Sequence, residues 1–484
     1  MTTRQLFSFI LLAAIFALSI RISNDPDLWW HLQTGQYILD EGIPYQDPGF
    51  SFTADGYKWV THEWLSQVFM IGVNNWLGGL TGLSMVFAGI ITLTYGLLYY
   101  SSDGRPYIAG LVTLWGVLAA APAFNVRPQM FNILFGAVII FIVEGVKKRG
   151  WSPHLQWLIV PLIGLWANMH GGYILGIVIV GVYVVGEAAQ LYFQGGHEEG
   201  LSYPAIGILA GSGALGFLAA ALNPNTYEIW IYAFETLTSD AMREIIAEWK
   251  SPNFHFWLFW FFGFMMFATW GVMIYSKRPV LWTDTLFVVG TSFAALQSGR
   301  NISLFVMVAI PIMSRHLVGI FQDREFGKRI NSPEPYTPNN IRLLNIFVSI
   351  GMMGFVLYYA INALAITDEI LREDYPVEAV RYIQAEGIDE ARFYNDYEWG
   401  GYLIREGMAV FVDGRADVYG DELLYDYLTI ARRQPEWREP LDRFDVEYVL
   451  TRSNGGLAVF MEAIPEFELL YADETAQIYQ RVEE

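Results

Sequence analysis

Long apolar segments recur throughout this chain, and they limit it to one class of fold. They lie at 6–20, 64–77, 80–100, 107–123, 128–145, 155–170, 173–193, 203–222, 255–275, 281–297, 302–319 and 342–364. A helix of about 20 apolar residues crosses a hydrocarbon core of about 30 Å. Charged residues make up 16% of the 484 residues, against about a quarter in soluble proteins. The sequence therefore predicts a polytopic α-helical membrane protein.

Basic residues between these segments predict the orientation of the chain. By the positive-inside rule, the N-terminus and three clusters are expected in the cytoplasm: Lys147–Arg149, Lys277–Arg278 and Arg324–Arg329. The segments 24–64 and 223–255 and the C-terminal domain then face the outside. Segment 24–64 and the cluster Lys147–Arg149 are thus expected on opposite sides of the membrane, so an odd number of membrane crossings must lie between them. Four apolar segments stand there, so one of them cannot span. Because 64–77 forms only about 21 Å of helix, we expect it to be interfacial or re-entrant, which leaves about eleven spanning helices.

Two alternatives to this topology stay open. If segment 64–77 also spans the membrane, the cluster Lys147–Arg149 lies outside. Segment 6–20 is also compatible with a signal peptide, since Ala17-Leu18-Ser19 resembles a cleavage site. In either reading of segment 6–20, the loop that starts at Asn24 is outside.

The C-terminal part of the chain has a different composition from the rest. From Ala365 onward the chain has 28 Asp and Glu residues and 11 Lys and Arg residues, so 17 of the 20 net negative charges lie there. Apolar and aromatic residues remain frequent, which indicates a folded acidic domain that does not bind nucleic acid. We predict a transmembrane domain at 1–366 and an extracytoplasmic α/β domain at 367–484. The chain contains no cysteine, which excludes disulfides and thiolate chemistry.

Sequence patterns within the acidic domain predict a small α/β fold. Expected helices lie at 376–386, 399–406 and 421–432, and expected strands at 391–394, 408–413, 446–451, 457–460 and 477–480. A Pro- and Asn-rich linker is expected before the last membrane helix, at 331–340.

The loop 24–64 concentrates polar and aromatic residues directly after the first apolar segment. Asp25 and Asp27 precede Trp29, Trp30 and His31. Carboxylates in this place can hold a divalent cation such as Mg²⁺ or Mn²⁺, with His31 as a further ligand, or act as a general base. One of the two aspartates is also expected to cap the helix that follows, while the tryptophans anchor at the membrane surface.

His62 and Glu63 stand at the other end of the same loop. A zinc-protease motif is excluded, because its second histidine would stand at position 66, which is Ser66. We expect Glu63 in a catalytic role and His62 in contact with substrate. The alternative is that the pair only caps the helix at 64–77.

Polar residues also stand at the outer ends of several apolar segments. Arg127 and Arg300 are suited to a lipid phosphate or pyrophosphate, although arginines there can also snorkel to the interface. His170 lies in a tight polar break, and Glu248 lies in the outer loop 223–255, which could cover the site as a flap. Both are predicted substrate residues; the alternatives are an ordinary turn and surface decoration.

Two glycine-containing segments of the C-terminal domain combine acidic and aromatic residues after expected strands. The first contains Asp396 and Trp399, and the second contains Asp413 and Arg415. They are typical of a polar groove for an acceptor with aromatic faces for sugar or peptide. The alternative is turn chemistry with a local ion pair.

This architecture resembles the GT-C glycosyltransferase superfamily. Asp27-Leu28-Trp29-Trp30-His31-Leu32, followed by Asp47-Pro48, is similar to the first-loop pattern of oligosaccharyltransferase catalytic subunits. Asp396-Tyr397-Glu398-Trp399-Gly400 resembles, more loosely, their acceptor-binding motif. The resemblance implies a multi-pass enzyme of a prokaryotic plasma membrane with a polyprenyl-phosphate-linked sugar donor. The acceptor would be an extracytoplasmic glycan, protein or lipid.

Two functions therefore stand beside each other. In the first, the protein is a glycosyltransferase in which Asp27 is the base or orients the acceptor, and Asp25 and Glu63 assist. In the second, it is a non-catalytic lipid- or glycan-binding scaffold or a transporter. Transporters carry ionisable residues in mid-membrane, whereas these apolar segments have few charges and polar groups gather at one face.

Overall fold

The computed structural model describes residues 1–197, 199–325, 327 and 336–482. Residues 326, 328 and 329 of the basic cluster and 331–335 of the expected linker lie outside them. The chain forms two compact units. Unit 1 comprises Met1–Arg21, Ser84–Thr226 and Ala247–Ala363, and unit 2 comprises Ile22–Leu83, Tyr227–Ile246 and Leu364–Glu484.

Unit 1 is helical, and its helices coincide with the apolar segments of the sequence. They are Thr3–Ser19, Tyr107–Ala120, Met130–Arg149, Ile159–Met169, Ile174–Gln194, Tyr203–Ala219, Leu258–Tyr275, Trp282–Gln297 and Ile302–Phe321, with most of Gly79–Ser101 and Asn339–Leu364. Apolar segments form helices in lipid because a helix satisfies its backbone hydrogen bonds internally.

Seven helices among the described residues are long and apolar enough to cross a membrane. The chain is therefore a multi-pass membrane protein, as predicted. The number of about eleven spans stays a prediction, because helices such as Ile159–Met169 are shorter than a bilayer crossing requires.

The loop that follows the first helix is built into unit 2. It contains the helices Pro26–Glu41 and Trp64–Trp76, which pack closely on each other. A Cβ on Gly35 would overlap the carbonyl of Gln67, so only glycine allows this approach. The 13 residues of Trp64–Trp76 give about 20 Å of helix, which supports the expected interfacial position.

The C-terminal part of unit 2 is a small α/β domain, as predicted. Its strands are β1 (Phe393–Asn395), β2 (Tyr448–Arg452), β3 (Phe467–Ala472) and β4 (Ala476–Arg481), in the order β1-β2-β4-β3. Only β1 and β2 are parallel. The remaining helices of unit 2 are Glu228–Thr238, Asp240–Ile245, Thr367–Asp374, Val377–Glu386, Gly400–Arg405, Ala416–Ala431, Arg438–Arg443 and Gly456–Glu462.

Two expected strands of this domain are wrong. The segment 408–413 is buried and extended but forms only one isolated bridge, between Val410 and Ser51 of the first loop. The segment 457–460 belongs to the helix Gly456–Glu462, and the strand β3 was not expected. A short apolar run does not distinguish a strand from a helix or a buried connection, because its burial is similar in all three.

Candidate functional site

Asp25 and Asp27 have different roles at the start of the helix Pro26–Glu41. Asp25 is the N-cap, and its Oδ1 accepts a hydrogen bond from the backbone N–H of Asp27 at 3.0 Å. Pro26 occupies the first helical position, where its missing N–H costs nothing. The structure thus shows which of the two aspartates is the expected cap. The assignment of Asp25 as a catalytic residue stays a prediction.

Asp27 presents a partly exposed carboxylate at the surface of unit 2. Its Oδ1 accepts a hydrogen bond from Trp30 Nε1 at 3.1 Å, one helical turn later. The carboxylate lies directly against Gly414 of the C-terminal domain. A Cβ on Gly414 would overlap Asp27 Oδ1 and lie 2.9 Å from Trp30 Nε1. The indole and the glycine therefore fix the position of this carboxylate.

Glu63 lies between the two histidines of the first loop and is 7% exposed. Its Oε1 is 3.3 Å from His62 Nε2, and its Oε2 is 3.6 Å from His31 Nδ1. Tyr232 stacks on the His62 ring with 4.2 Å between centroids. The structure thus brings three predicted site residues together in one buried polar cluster.

Electrostatics favour the charged form of one imidazole in this cluster. Burial by itself lowers the pKa of His62, but the adjacent Glu63 carboxylate outweighs it and raises the pKa above its usual value. Burial raises the pKa of the Asp417 carboxyl, and the nearby His62 only partly opposes this shift. The cluster therefore favours a protonated His62 imidazole beside the Glu63 carboxylate.

The residues proposed for a divalent cation make other contacts in this arrangement. Asp25 caps the helix, Asp27 accepts from Trp30, and His31 faces Glu63 and Gln67. Within the described parts of the chain, no three His, Asp or Glu side chains form a group that could hold a metal ion. The cation stays a prediction, and no step proposed below depends on it.

Asp413 and Arg415 form a buried ion cluster with Asp47 of the first loop. The Arg415 guanidinium donates to both oxygens of Asp413, at 2.9 and 2.7 Å, and to Asp47 Oδ1 at 2.6 Å. All three side chains have an exposed fraction of 0% or close to it. We therefore assign Asp413 and Arg415 a structural role, and the expected contact of either residue with an acceptor stays a prediction.

The other predicted groove residues of the C-terminal domain are also engaged locally. Asp396 caps a short turn through Glu398 N and pairs with Arg452 at 3.2 Å. Trp399 is fully buried and donates through Nε1 to the carbonyl of Asp374. Because its ring is not exposed, Trp399 is part of the domain core and offers no face for stacking on an acceptor.

The predicted phosphate ligands lie in unit 1. Arg127 NH1 is 3.4 Å from Glu248 Oε1, and the Arg300 guanidinium lies 5.4 Å from the centroid of the Trp249 ring. His170 holds its own turn, because its Nδ1 accepts from Gly172 N at 2.8 Å. The segment that contains Glu248 and Trp249 thus contacts both arginines. Contact of these arginines with a donor phosphate stays a prediction.

Sequence reasoning missed three residues that shape the candidate site. Gly414 lies against Asp27, Tyr232 stacks on His62, and Asp417 acts on the same imidazole. Gly414 lies inside a segment that was expected to form either an acceptor groove or a turn. No local signal marks Tyr232 or Asp417, because both reach the cluster from segments distant in the sequence.

No protein-family model and no curated protein sequence matches this chain. Solved structures do match. An oligosaccharyltransferase from Archaeoglobus fulgidus, tethered with an acceptor peptide containing the NVT sequon, has a TM-score of 0.56 at 10% identity. The match covers 99% of this chain and 74% of that one.

Two further structures carry lipid phosphates. The Archaeoglobus fulgidus oligosaccharyltransferase AglB, in complex with an inhibitory peptide and a dolichol-phosphate, has a TM-score of 0.55 at 10% identity, over 99% of this chain and 74% of that one. ArnT from Cupriavidus metallidurans, bound to undecaprenyl phosphate, has a TM-score of 0.51 at 12% identity, over 98% and 97%. The resemblance to GT-C glycosyltransferases is therefore confirmed at the level of the fold.

Proposed function

We propose that this protein is a membrane glycosyltransferase that moves a sugar from a polyprenyl-phosphate-linked donor to an extracytoplasmic acceptor. One observation carries the proposal: Asp27 is a partly exposed carboxylate held in place by Trp30 and Gly414. A fixed carboxylate at the start of a helix is suited to orient a nucleophile or accept its proton. The GT-C-like fold supports this reading.

In the proposed reaction, Asp27 accepts the proton of the acceptor O–H or N–H group. The acceptor atom forms a bond to the anomeric carbon of the sugar, while the bond from that carbon to the phosphate oxygen breaks. The leaving phosphate keeps the electron pair, and the reaction inverts the anomeric centre. Arg127 and Arg300 would stabilise the negative charge that develops on the phosphate.

The remaining polar cluster has an assisting role in this proposal. Glu63 holds His31 and His62 in fixed positions, and His62 would contact the acceptor. The charge distribution supports an orientation with the N-terminus in the cytoplasm and Asp27 outside. The lipid-linked donor would then react on the extracytoplasmic side of a prokaryotic plasma membrane.

The test is transfer by the purified, reconstituted protein carrying Asp27→Asn. Loss of a positioned general base lowers a rate by about 10²- to 10⁴-fold, and we expect a loss of this size. Asp40→Asn is the matched control, because Asp40 lies on the same helix but is exposed, and its carboxylate accepts a hydrogen bond from Gln36 one turn earlier. The transferred sugar and its acceptor are identified first, by comparing lipids and glycans of cells with and without the protein.

Full transfer by Asp27→Asn, with correct insertion and unfolding temperature, would contradict the assigned role of Asp27. Absence of any transferred sugar in both the cell comparison and the reconstituted reaction would favour the non-catalytic scaffold or the transporter.

A further inference from the structure

Glu248 places a carboxylate on the residues proposed to bind the donor phosphate. Its Oε1 lies 3.4 Å from Arg127 NH1 and accepts from Asn125 Nδ2, also at 3.4 Å. Both donors come from the segment that directly precedes the helix Met130–Arg149. A single anionic oxygen that faces a guanidinium and an amide is the arrangement expected for a bound oxyanion.

The neighbours of Glu248 fasten the same segment to the second arginine. The Trp249 ring lies 5.4 Å from the Arg300 guanidinium, which is the range of a cation–π contact. Ser298 Oγ donates to the carbonyl of Glu248, and Gly299 N donates to the carbonyl of Lys250, both at 2.9 Å. The segment Glu248–Lys250 therefore contacts both arginine-bearing turns of unit 1.

The carboxylate contact is held loosely compared with the backbone contacts. The distance of 3.4 Å is long for a charge-assisted hydrogen bond, and the Arg127 and Glu248 side chains are 19% and 34% exposed. Ion pairs with this exposure contribute little to stability. A phosphate ester offers more negative charge and more acceptor oxygens to the same guanidinium, so it can replace the carboxylate.

We propose that Glu248 is an internal occupant of the anion site and competes with the donor phosphate for Arg127 and Asn125. This inference rests on the proposed function, since it takes the phosphate ester of a lipid as the ligand. Competition by Glu248 and a role of Glu248 as a cover over the bound donor predict opposite changes in phosphate affinity when the charge of Glu248 is removed. If Glu248 competes, removing its charge strengthens phosphate binding; if Glu248 contacts the bound donor favourably, removing its charge weakens it.

The experiment measures binding of undecaprenyl phosphate to the full-length protein in lipid nanodiscs. We expect Glu248→Gln to bind about two- to fivefold more tightly than the unmodified protein, which corresponds to loss of one weak ion pair. Glu244→Gln is the matched control. Glu244 pairs with Arg432, so this substitution should leave the affinity for undecaprenyl phosphate unchanged. Arg127→Gln should weaken binding of undecaprenyl phosphate both in the unmodified protein and in the Glu248→Gln variant.

Each outcome has a separate meaning. Equal or weaker binding by Glu248→Gln, with binding by the unmodified protein intact, overturns the competition by Glu248. An unmodified protein that does not bind undecaprenyl phosphate at all contradicts the proposed function instead. Inorganic phosphate is added as a competitor: displacement supports a site for phosphate itself, and no displacement supports a site that requires the lipid ester.

Discussion

The two units of the molecule use arginine in opposite ways. Arg415 of unit 2 is fully buried, pairs with two carboxylates and lies 4.9 Å from the centroid of the Trp59 ring. Arg127 of unit 1 is partly exposed and faces the carboxylate of Glu248, also partly exposed, at 3.4 Å. Both arginines were predicted from the sequence to contact a substrate.

The difference shows that burial decides what a charged residue can do. Burial alone lowers the pKa of Arg415, but the Asp413 and Asp47 carboxylates raise it well above its usual value, so the guanidinium stays charged. A buried cation with such partners cannot exchange them for a ligand without leaving two carboxylates unpaired. Arg127 can exchange its partner, because water and ligands reach it.

The largest expected effect comes from breaking the buried cluster. Arg415→Met keeps much of the side-chain volume but leaves Asp47 and Asp413 buried without their cation. Removal of one partner of a buried ion pair destabilises a protein by about 3–5 kcal/mol. Thermal unfolding of the full-length protein in detergent should show this as a clear decrease in Tm. Unfolding at the unmodified temperature would refute the structural role assigned to Arg415.

A second substitution should affect activity more than stability. Gly414→Ala introduces a Cβ that overlaps Asp27 Oδ1, so the carboxylate must move away from Trp30. A displacement of about 1 Å in a reacting group costs about 10²-fold in rate, and transfer should fall by this order. Gly72→Ala serves as control, because nothing lies within 4 Å of its added Cβ. Unchanged transfer by Gly414→Ala would show that Asp27 needs no fixed position.

The third prediction concerns pH and His62, which is mostly buried. Because its pKa is raised in the folded protein, the His62–Glu63 pair stabilises fully below the unfolded pKa of about 6.5 and this contribution is lost as the pH rises through the folded pKa. The difference in Tm between the unmodified protein and His62→Gln should therefore be largest near pH 6 and shrink as the pH is raised. The comparison is repeated in an Asp417→Asn background, because the Asp417 carboxyl also lowers stability as the pH rises and His62 itself acts on its pKa. A difference that grows with pH would contradict a charged His62.

The smallest effect is expected for an exposed arginine of the same unit. Arg432 pairs with Glu244 at 2.5 Å, but the two side chains are 46% and 42% exposed. Exposed ion pairs contribute about 0.2–1 kcal/mol, so Arg432→Met should hardly change the unfolding temperature. It is thereby the control for Arg415→Met. A decrease as large as that of Arg415→Met would show that exposure does not separate the two classes of arginine.

The fold was predictable in the membrane part and less so in the C-terminal domain. Each apolar segment became a helix, because a chain in lipid must satisfy its backbone groups locally. The acidic domain depends on pairing between distant strands, such as β1 with β2, and two of its expected strands were wrong. Its α/β class was still evident from the alternation of patterns.

The candidate site was predictable by residue type but only in part by role. The first loop was identified from its density of acidic and aromatic residues, and Asp27, His31, His62 and Glu63 do lie in one unit. The sequence left open which aspartate caps the helix, and the structure shows that it is Asp25. Where a groove was expected, Trp399 lies in the domain core and Arg415 in a buried ion cluster. The same acidic, aromatic and glycine residues are typical of a binding groove and of a buried turn, so the sequence does not distinguish the two.

The sequence by itself determined the membrane class, the positions of the helices, the acidic C-terminal domain and the resemblance to GT-C enzymes. These properties are local, because hydropathy and charge act over one helix length. Only the tertiary structure decided that Arg415 is locked, that Gly414 supports Asp27 and that Glu248 faces Arg127. Burial and pairing join residues far apart in the chain (Asp47 and Arg415 are 368 positions apart), and no local pattern records such contacts.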